Sequence, residues 1–278
     1  EGYYVFYVYL SFYANAIPWH TQFYFELMAN LEKDQPLWTS NPGHNPGPNP
    51  GPNPEPTPEP PHNSTPTGLA QLQTKLIDAP AHTVYFIYQD PKTMWRPQSA
   101  FDVMSGGIVY GLCTNIQNQG FNTTKYWLLP SPQGKINATT IHNATIAMFG
   151  GPYPHVSVKY YEITAELTPV YFFGNATHCT FKNRTGTVLA ALNWSVVGSG
   201  HEDMFVIQVL TKPTGNNLIL IIYGFDWLGT WGGGTYFKEV IYPNLSSYTD
   251  DYYVFHWIDD PGQDGVPQSS EITLEASG

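Results

Sequence analysis

The 278-residue chain is 42% hydrophobic and only 12% charged, and its acidic residues outnumber its basic residues 22 to 11. The net charge of −11 argues against a nucleic-acid partner, because phosphate contacts need clustered Lys and Arg. After residue 20 there is no run of about 18 uninterrupted apolar residues, and the C-terminal EITLEASG is polar, so we expect no membrane span.

The first 40 residues show the two-residue periodicity of β-strands. In residues 3–13 and in residues 22–32 the side-chain type alternates with a period of two, and the loop-like segment ANAIPWH lies between them. Residues 1–40 are therefore predicted to form a β-hairpin. A membrane helix is the competing interpretation, but the many tyrosines of this run disfavour it. A two-stranded hairpin alone is barely stable in water, so this head must be covered. The face predicted to be buried on assembly consists of Tyr4, Phe6, Val8, Leu10 and Phe12.

Residues 41–67 form a proline-rich linker that begins NPGHNPGPNPGPNPEPTPEP. Proline has no N–H and pushes the preceding residue out of the helical region, so neither helix nor sheet is predicted here. As polyproline II, residues 41–62 span roughly 65–70 Å, against a diameter of about 45 Å for the following body. Turns at the Asn-Pro-Gly repeats would shorten this reach. The head is free to dock on its own body or on a neighbour, and we favour strand addition to a neighbouring copy.

Residues 68–278 are predicted to form a mixed, strand-rich α/β body built on a mainly mixed sheet. The runs DMFVIQVL and NLILIIYGF are almost wholly apolar, which is typical of central strands covered on both faces. Helices are predicted around 155–165 and 230–242. Strands are predicted at 83–88, 143–151, 169–173, 203–210, 217–225 and 252–258.

Acceptor sequences for N-glycosylation are unusually frequent. Chance gives roughly two N-x-[ST] patterns in a chain of this composition, whereas this one has eight. The excess predicts an exported protein with N-linked glycans on several faces of the body, although a polar, Thr-rich loop composition is the alternative. The eight positions are Asn63, Asn122, Asn137, Asn143, Asn175, Asn183, Asn193 and Asn244.

Two cysteines, Cys113 and Cys179, suit an oxidising compartment. A disulfide between them would close a loop of about 67 residues and stabilise the fold by on the order of 4 kcal/mol. The alternative is two buried free thiols.

The C-terminal WIDDPGQDGVPQSSEI has the spacing of a calcium-binding loop, D-x-[DN]-x-[DN]-G-x5-E. Gly265 stands where the loop needs its sharp turn, but Gly262 replaces the third oxygen ligand. The alternative interpretation is an acidic turn before a last strand. The predicted Ca²⁺ ligands are Asp260, Asp264, the Val266 carbonyl, Gln268 and Glu271.

Common enzyme motifs are incomplete in this sequence. His201-Glu202 begins like H-E-x-x-H, but Phe205 stands where the second zinc-binding His is needed. Ser199 in VGSGH lacks the first glycine of G-x-S-x-G. The glycine-rich GFDWLGTWGGGTYF has no Lys for phosphate binding, so it predicts a tight strand-to-helix turn.

Three segments of the body, in order, resemble the C-terminal part of archaeal S-layer and related crenarchaeal surface glycoproteins. They are TIAMFGGPYPHVSVKYYE, LILIIYGFDWLGTWGGGTYF and YYVFHWIDDPGQDGVPQSSEI, within residues 143–278. The resemblance implies a structural role at a cell surface, without catalysis.

These features together predict a secreted extracellular glycoprotein that assembles with copies of itself into a filament or S-layer-like lattice. One alternative is a secreted hydrolase, such as an acid protease or glycosidase, whose paired carboxylates meet only in the fold. Another is a carbohydrate-binding or adhesion module that stacks exposed Trp and Tyr on sugars.

Overall fold

The computed structural model describes residues 66–73, 83–88, 99–115, 125–128, 133–210, 216–259 and 264–278, all within one compact unit that spans His62–Gly278. The predicted head with its five assembly residues and most of the linker lie outside the described residues. So do the acceptor positions Asn63 and Asn122 and the predicted calcium ligand Asp260.

Strands outnumber helices in the described residues. The strands are β1 (Val84–Ile87), β2 (Lys125–Leu128), β3 (Thr145–Phe149), β4 (Val170–Gly174), β5 (His178–Asn183), β6 (Val188–Asn193), β7 (Glu202–Leu210), β8 (Leu218–Gly224), β9 (Tyr252–Ile258) and β10 (Ile272–Ser277). The helices are α1 (Ser99–Asn115), α2 (Val156–Lys159), α3 (Trp194–Val197) and α4 (Trp227–Tyr236). Single π-helical turns extend α2 and α4, namely Tyr160–Thr164 and Phe237–Ile241. None of the helices described is long and apolar enough to span a membrane.

Seven strands form one mixed sheet in the order β10-β9-β7-β8-β3-β1-β2. Strands β2, β1, β3 and β8 are parallel neighbours, whereas β7, β9 and β10 continue the sheet by antiparallel pairing. Every residue of β8 is buried, because this central strand is covered on both faces. The fold class predicted from the sequence, a strand-rich mixed α/β body, is confirmed.

Two hydrophobic layers cover opposite faces of this sheet. Helices α1 and α4 cover one face, where Phe205 and Ile222 are buried. Helix α2 and a separate antiparallel sheet, β4-β5-β6, cover the other, where Phe181 packs against Tyr223. Full burial of an apolar side chain of this size contributes roughly 1.5–3 kcal/mol, so both layers contribute to the stability of the fold.

All six predicted strands and both predicted helical regions are present. Helix α4 begins at Trp227, slightly before its predicted position, and the segment around 155–165 is α2 with its π-helical turn. Helices α1 and α3 and strands β2, β5 and β6 were not predicted, and a last strand such as β10 appeared only in the alternative interpretation of the C-terminal segment.

The predicted disulfide is not formed, because Cys179 is a free, buried thiol in the structure. Cys179 belongs to the hydrophobic layer that includes the three-stranded sheet, and its Sγ donates to the Leu192 carbonyl at 3.3 Å. Cys113 lies in α1, which covers the opposite face, and its side chain is outside the described part of the chain. Packed layers are about 10 Å apart and a disulfide needs Cα atoms within about 7 Å, so the central sheet separates the two cysteines. Burial raises the pKa of the Cys179 thiol to about 12, which leaves it unreactive.

Candidate functional site

The carboxyl ends of β1, β3 and β8 meet at one edge of the sheet, where open α/β sheets usually bind ligands. The turn after β3 carries the sequence GGPYPH, and the turn after β8 carries GFDWLG. In this chain, side chains of the protein itself bind backbone groups at the end of β1 and at the starts of α2 and α4.

His155 fixes the first of these turns. Its Nε2 lies 2.8 Å from the Ile87 carbonyl at the end of β1, and its Nδ1 accepts a hydrogen bond of 3.4 Å from the Val158 N–H as the N-cap of α2. Since a carbonyl can only accept, Nε2 carries the hydrogen. Complete burial lowers the pKa of His155 to about 4, so the ring is neutral at pH 7 with both nitrogens engaged. The histidine is therefore a structural link between β1 and α2.

Asp203 occupies the N-terminus of α4 after the second turn. Its Oδ2 accepts hydrogen bonds from the backbone N–H of Gly229 at 2.7 Å and of Asp226 at 3.1 Å. Its Oδ1 accepts a third, at 2.7 Å, from the Met204 N–H. Burial raises the pKa of Asp203 well above its ordinary value, and these three N–H groups partly offset that effect. A helix N-terminus often binds an external anion, but here the chain supplies the carboxylate itself.

The glycines of GFDWLGTWGGGTYF serve close packing. A Cβ at Gly224 would lie 2.5 Å from the Gly229 Cα, and a Cβ at Gly229 would lie 2.8 Å from the Asp203 carboxylate. A Cβ at Gly234 would lie 2.2 Å from the Ser105 hydroxyl of α1. The tight strand-to-helix turn predicted from the sequence is confirmed, and these glycines let α4 approach both β8 and α1.

A narrow crevice remains beside these turns, between β1, β3 and α1. It has essentially no interior space for even a water molecule, so it lacks the volume of a typical small-molecule site. The residues that line it are Ile87, Tyr88, Asp102, Val103, Gly106 and Phe149.

Two carboxylates of the kind needed for the alternative hydrolase, Asp203 and Asp226, meet at the start of α4. Asp203 is 1% exposed and its oxygens accept three backbone hydrogen bonds. Asp226 is the N-cap of α4, and its Oδ1 accepts from the Trp227 N–H at 2.9 Å. Both carboxylates thus hold the helix start in place.

The acidic loop before β10 has a hydrogen-bond network of its own. Glu271 Oε2 accepts from the Gln268 N–H at 3.0 Å, which completes a capping box, and from the Trp257 indole N–H at 2.9 Å. Asp264 accepts from the Val266 N–H at 2.8 Å and from the Gln268 amide at 3.3 Å. These hydrogen bonds are those expected of an acidic turn, which was the alternative interpretation to a calcium-binding loop.

A neighbouring carboxylate, Asp259, was not predicted as part of this loop. Its Oδ2 lies 2.6 Å from His201 Nδ1 and accepts from the Gly265 N–H at 3.1 Å. Among the described residues, no group of three His, Cys, Asp or Glu is placed to hold a metal ion, and Asp260 lies outside them. Calcium binding stays a prediction.

The six acceptor asparagines within the described residues all lie at the surface. Asn183 is half-buried, and the exposed ones are Asn137, Asn143, Asn175, Asn193 and Asn244. Three of the six share one local geometry, in which the side-chain Oδ1 accepts from both the N–H and the hydroxyl of the Thr two residues later. The hydroxyl distances are 2.7 Å at Asn137, 3.1 Å at Asn175 and 2.7 Å at Asn183. This geometry engages Oδ1 within the turn, and Nδ2, the atom to which a glycan would be attached, takes no part in these hydrogen bonds.

In comparisons with known proteins, no family model and no curated protein matches the chain. The resemblance to archaeal surface glycoproteins therefore rests on the three sequence segments alone.

Proposed function

We propose that the chain is a structural, N-glycosylated protein of a cell surface that assembles with copies of itself into a filament or lattice. The observation that carries the proposal is the surface placement of all six described acceptor asparagines. They occur on both layers and at several edges of the body. The turns after β3 and β8 are held by hydrogen bonds within the protein, which also favours a structural role over catalysis on a bound ligand.

Glycosylation is tested first. The protein purified from its native source should exceed the 31.1 kDa of the bare chain by the mass of several sugar chains. Intact mass spectrometry measures this excess, and peptide mapping assigns it to individual asparagines. A native mass equal to that of the bare chain would contradict the proposal.

Assembly is proposed to occur by strand addition at β10. This strand forms one end of the seven-stranded sheet and, among the described residues, pairs with β9 alone. Within the described ranges no strand pairs with the outer side of β10, and its residue Leu274 is 55% exposed. The occupant we propose is the first predicted strand, residues 3–13, of another copy, carried across by the linker.

A full-length Leu10→Asp variant is expected to remain folded but to lose assembly. The substitution places a charge on the face of the strand that is predicted to be buried when copies assemble. The matched control is Ser11→Asp, which adds the same charge on the other face of the same strand. Light scattering and electron microscopy of both variants under one set of conditions provide the measurement. Polymers of normal length from Leu10→Asp, or equal loss in both variants, would refute strand addition through the even-numbered face.

A further inference from the structure

The outer face of the three-stranded sheet carries two acceptor asparagines in one row. Hydrogen bonding between Asn175 and His178 extends the β4–β5 hairpin by one pair, and His178 is in register with Asn193 of β6. Since side chains alternate between faces, Asn175, His178 and Asn193 share the outer face, and all three are exposed.

The adjacent row of the same face contains an exposed aromatic ring. Phe173 is in register with Thr180, and Thr180 with Ala191, so Phe173 lies on the same face and two residues before Asn175. The ring is 46% exposed, and Lys182 Nζ lies over it at 4.2 Å. Because Lys182 Nζ lies over one face of the ring, the surface available to a sugar on Asn175 is the rest of the exposed ring.

The turn aims the asparagine outward. Asn175 Oδ1 accepts hydrogen bonds from the Thr177 N–H at 2.9 Å, the Thr177 hydroxyl at 3.1 Å and the His178 N–H at 2.8 Å. With three donors on Oδ1, the amide cannot rotate without losing these bonds. These bonds fix the orientation of the amide, and Asn175 lies on the same exposed face of the sheet as Phe173.

A second acceptor site of the same design provides an internal comparison. Asn183 also follows a Phe by two residues, and its Oδ1 accepts from Thr185 and Thr187. In that case the ring, Phe181, is fully buried and packs against Phe225 in the core. The two sites share the pattern Phe-x-Asn-x-Thr and differ in whether the ring is available to a sugar.

We propose that an N-linked glycan on Asn175 packs its first sugar ring against Phe173 and stabilises the three-stranded sheet. The C–H faces of a sugar ring are apolar, so contact with the aromatic ring removes apolar surface of both from water. The glycan on Asn183 has no exposed ring to contact and adds no such stabilisation. This inference rests on the proposed function, because it requires that the chain be glycosylated.

The test begins with peptide mapping of the native protein. Asn175 is expected to carry a glycan. If Asn175 is bare while other acceptor asparagines carry glycans, this inference is overturned but the proposed function is not. If every acceptor asparagine is bare, the proposed function is overturned with it.

The contact itself is tested with full-length protein made in a glycosylating host and trimmed to a single N-acetylglucosamine per site. Phe173→Ala and Asn175→Gln are compared singly and together by thermal unfolding, which isolates the coupling between ring and sugar. We expect Asn175→Gln to lower the Tm by about 2–4 °C more when Phe173 is present than in Phe173→Ala, because the lost turn hydrogen bonds are common to both backgrounds and the lost sugar contact is not. The change in Tm caused by Asn183→Gln, which removes the sugar from a site whose phenylalanine is buried, is the matched control. The same sugar effect at Asn175 with and without Phe173 would overturn the contact.

Discussion

Replacement of Asp203 with alanine is expected to lower the free energy of unfolding by about 3–5 kcal/mol. The carboxylate accepts hydrogen bonds from the backbone N–H groups of Met204, Asp226 and Gly229. Without it, the Met204 N–H in β7 and the Asp226 and Gly229 N–H groups at the start of α4 lose their acceptor in a buried site. A buried donor left without an acceptor costs roughly 1–3 kcal/mol.

Equilibrium unfolding in urea measures this loss, with Asp226→Ala as the matched control. Asp226 caps the same helix with a single hydrogen bond to the Trp227 N–H, so its removal should cost only about 1 kcal/mol. If the two variants are equally stable, the carboxylate of Asp203 does not anchor α4 and the role assigned to it is wrong.

The central strands could be predicted because burial on both faces leaves a direct mark on the sequence. In β8 the run LILIIYG is wholly apolar, and all seven residues are buried. Strands β5 and β6 were missed although each has one solvent-facing side. HCTFKN does alternate, with Cys179 and Phe181 buried, but over only six residues, whereas VLAALN has small or apolar residues on both faces and shows no alternation.

Helix α1 was missed for a different reason. Its sequence contains two adjacent glycines, Gly106 and Gly107, which are poor helix formers. The structure explains the first of them, because a Cβ at Gly106 would lie 3.0 Å from the Phe149 ring. Tertiary packing requires a small residue at Gly106, and helix propensity read from the local sequence therefore cannot reveal this helix.

The roles of His155 and Asp203 also depend on tertiary contacts. Asp203 binds backbone groups 23 and 26 residues away along the chain, and His155 reaches a carbonyl 68 residues away. No local spacing encodes such pairs. The acceptor asparagines, in contrast, are defined by three consecutive residues, and the six described ones all lie at the surface.

The stability of the body is expected to fall as the pH rises from 4.5 to 7, because of Glu162. Its Oε1 accepts from the Phe172 N–H at 2.7 Å, and its Oε2 accepts from the Tyr223 hydroxyl at 2.6 Å. Both hydrogen-bond partners of the carboxyl group are neutral, whereas the charge of Arg184, which donates to the Glu162 backbone carbonyl at 2.8 Å, lowers the pKa of the group. Burial is the largest effect and raises the pKa of Glu162 from 4.5 to about 7.

The sign of the pH dependence follows from this raised pKa. In the unfolded chain Glu162 loses its proton near pH 4.5, whereas in the folded protein it keeps the proton up to about pH 7. The folded state is therefore favoured fully below pH 4.5, and on the order of 3 kcal/mol is lost by the time the pH has passed 7. Most carboxyl groups in folded proteins have the opposite sign and destabilise the fold in acid.

Thermal unfolding of the wild-type protein and of Glu162→Gln, from pH 4 to pH 8, isolates this contribution. Glutamine keeps the shape and an acceptor for the Phe172 N–H but does not titrate, so the variant should lose less stability between pH 4.5 and 7 than the wild type. Asp203 and other groups titrate equally in both proteins, and the difference between the two curves therefore belongs to Glu162. Parallel curves over this range would show that Glu162 does not hold its proton in the folded state. A widening difference toward pH 7 would mean that the buried carboxyl group stabilises the folded body in acid relative to neutral pH.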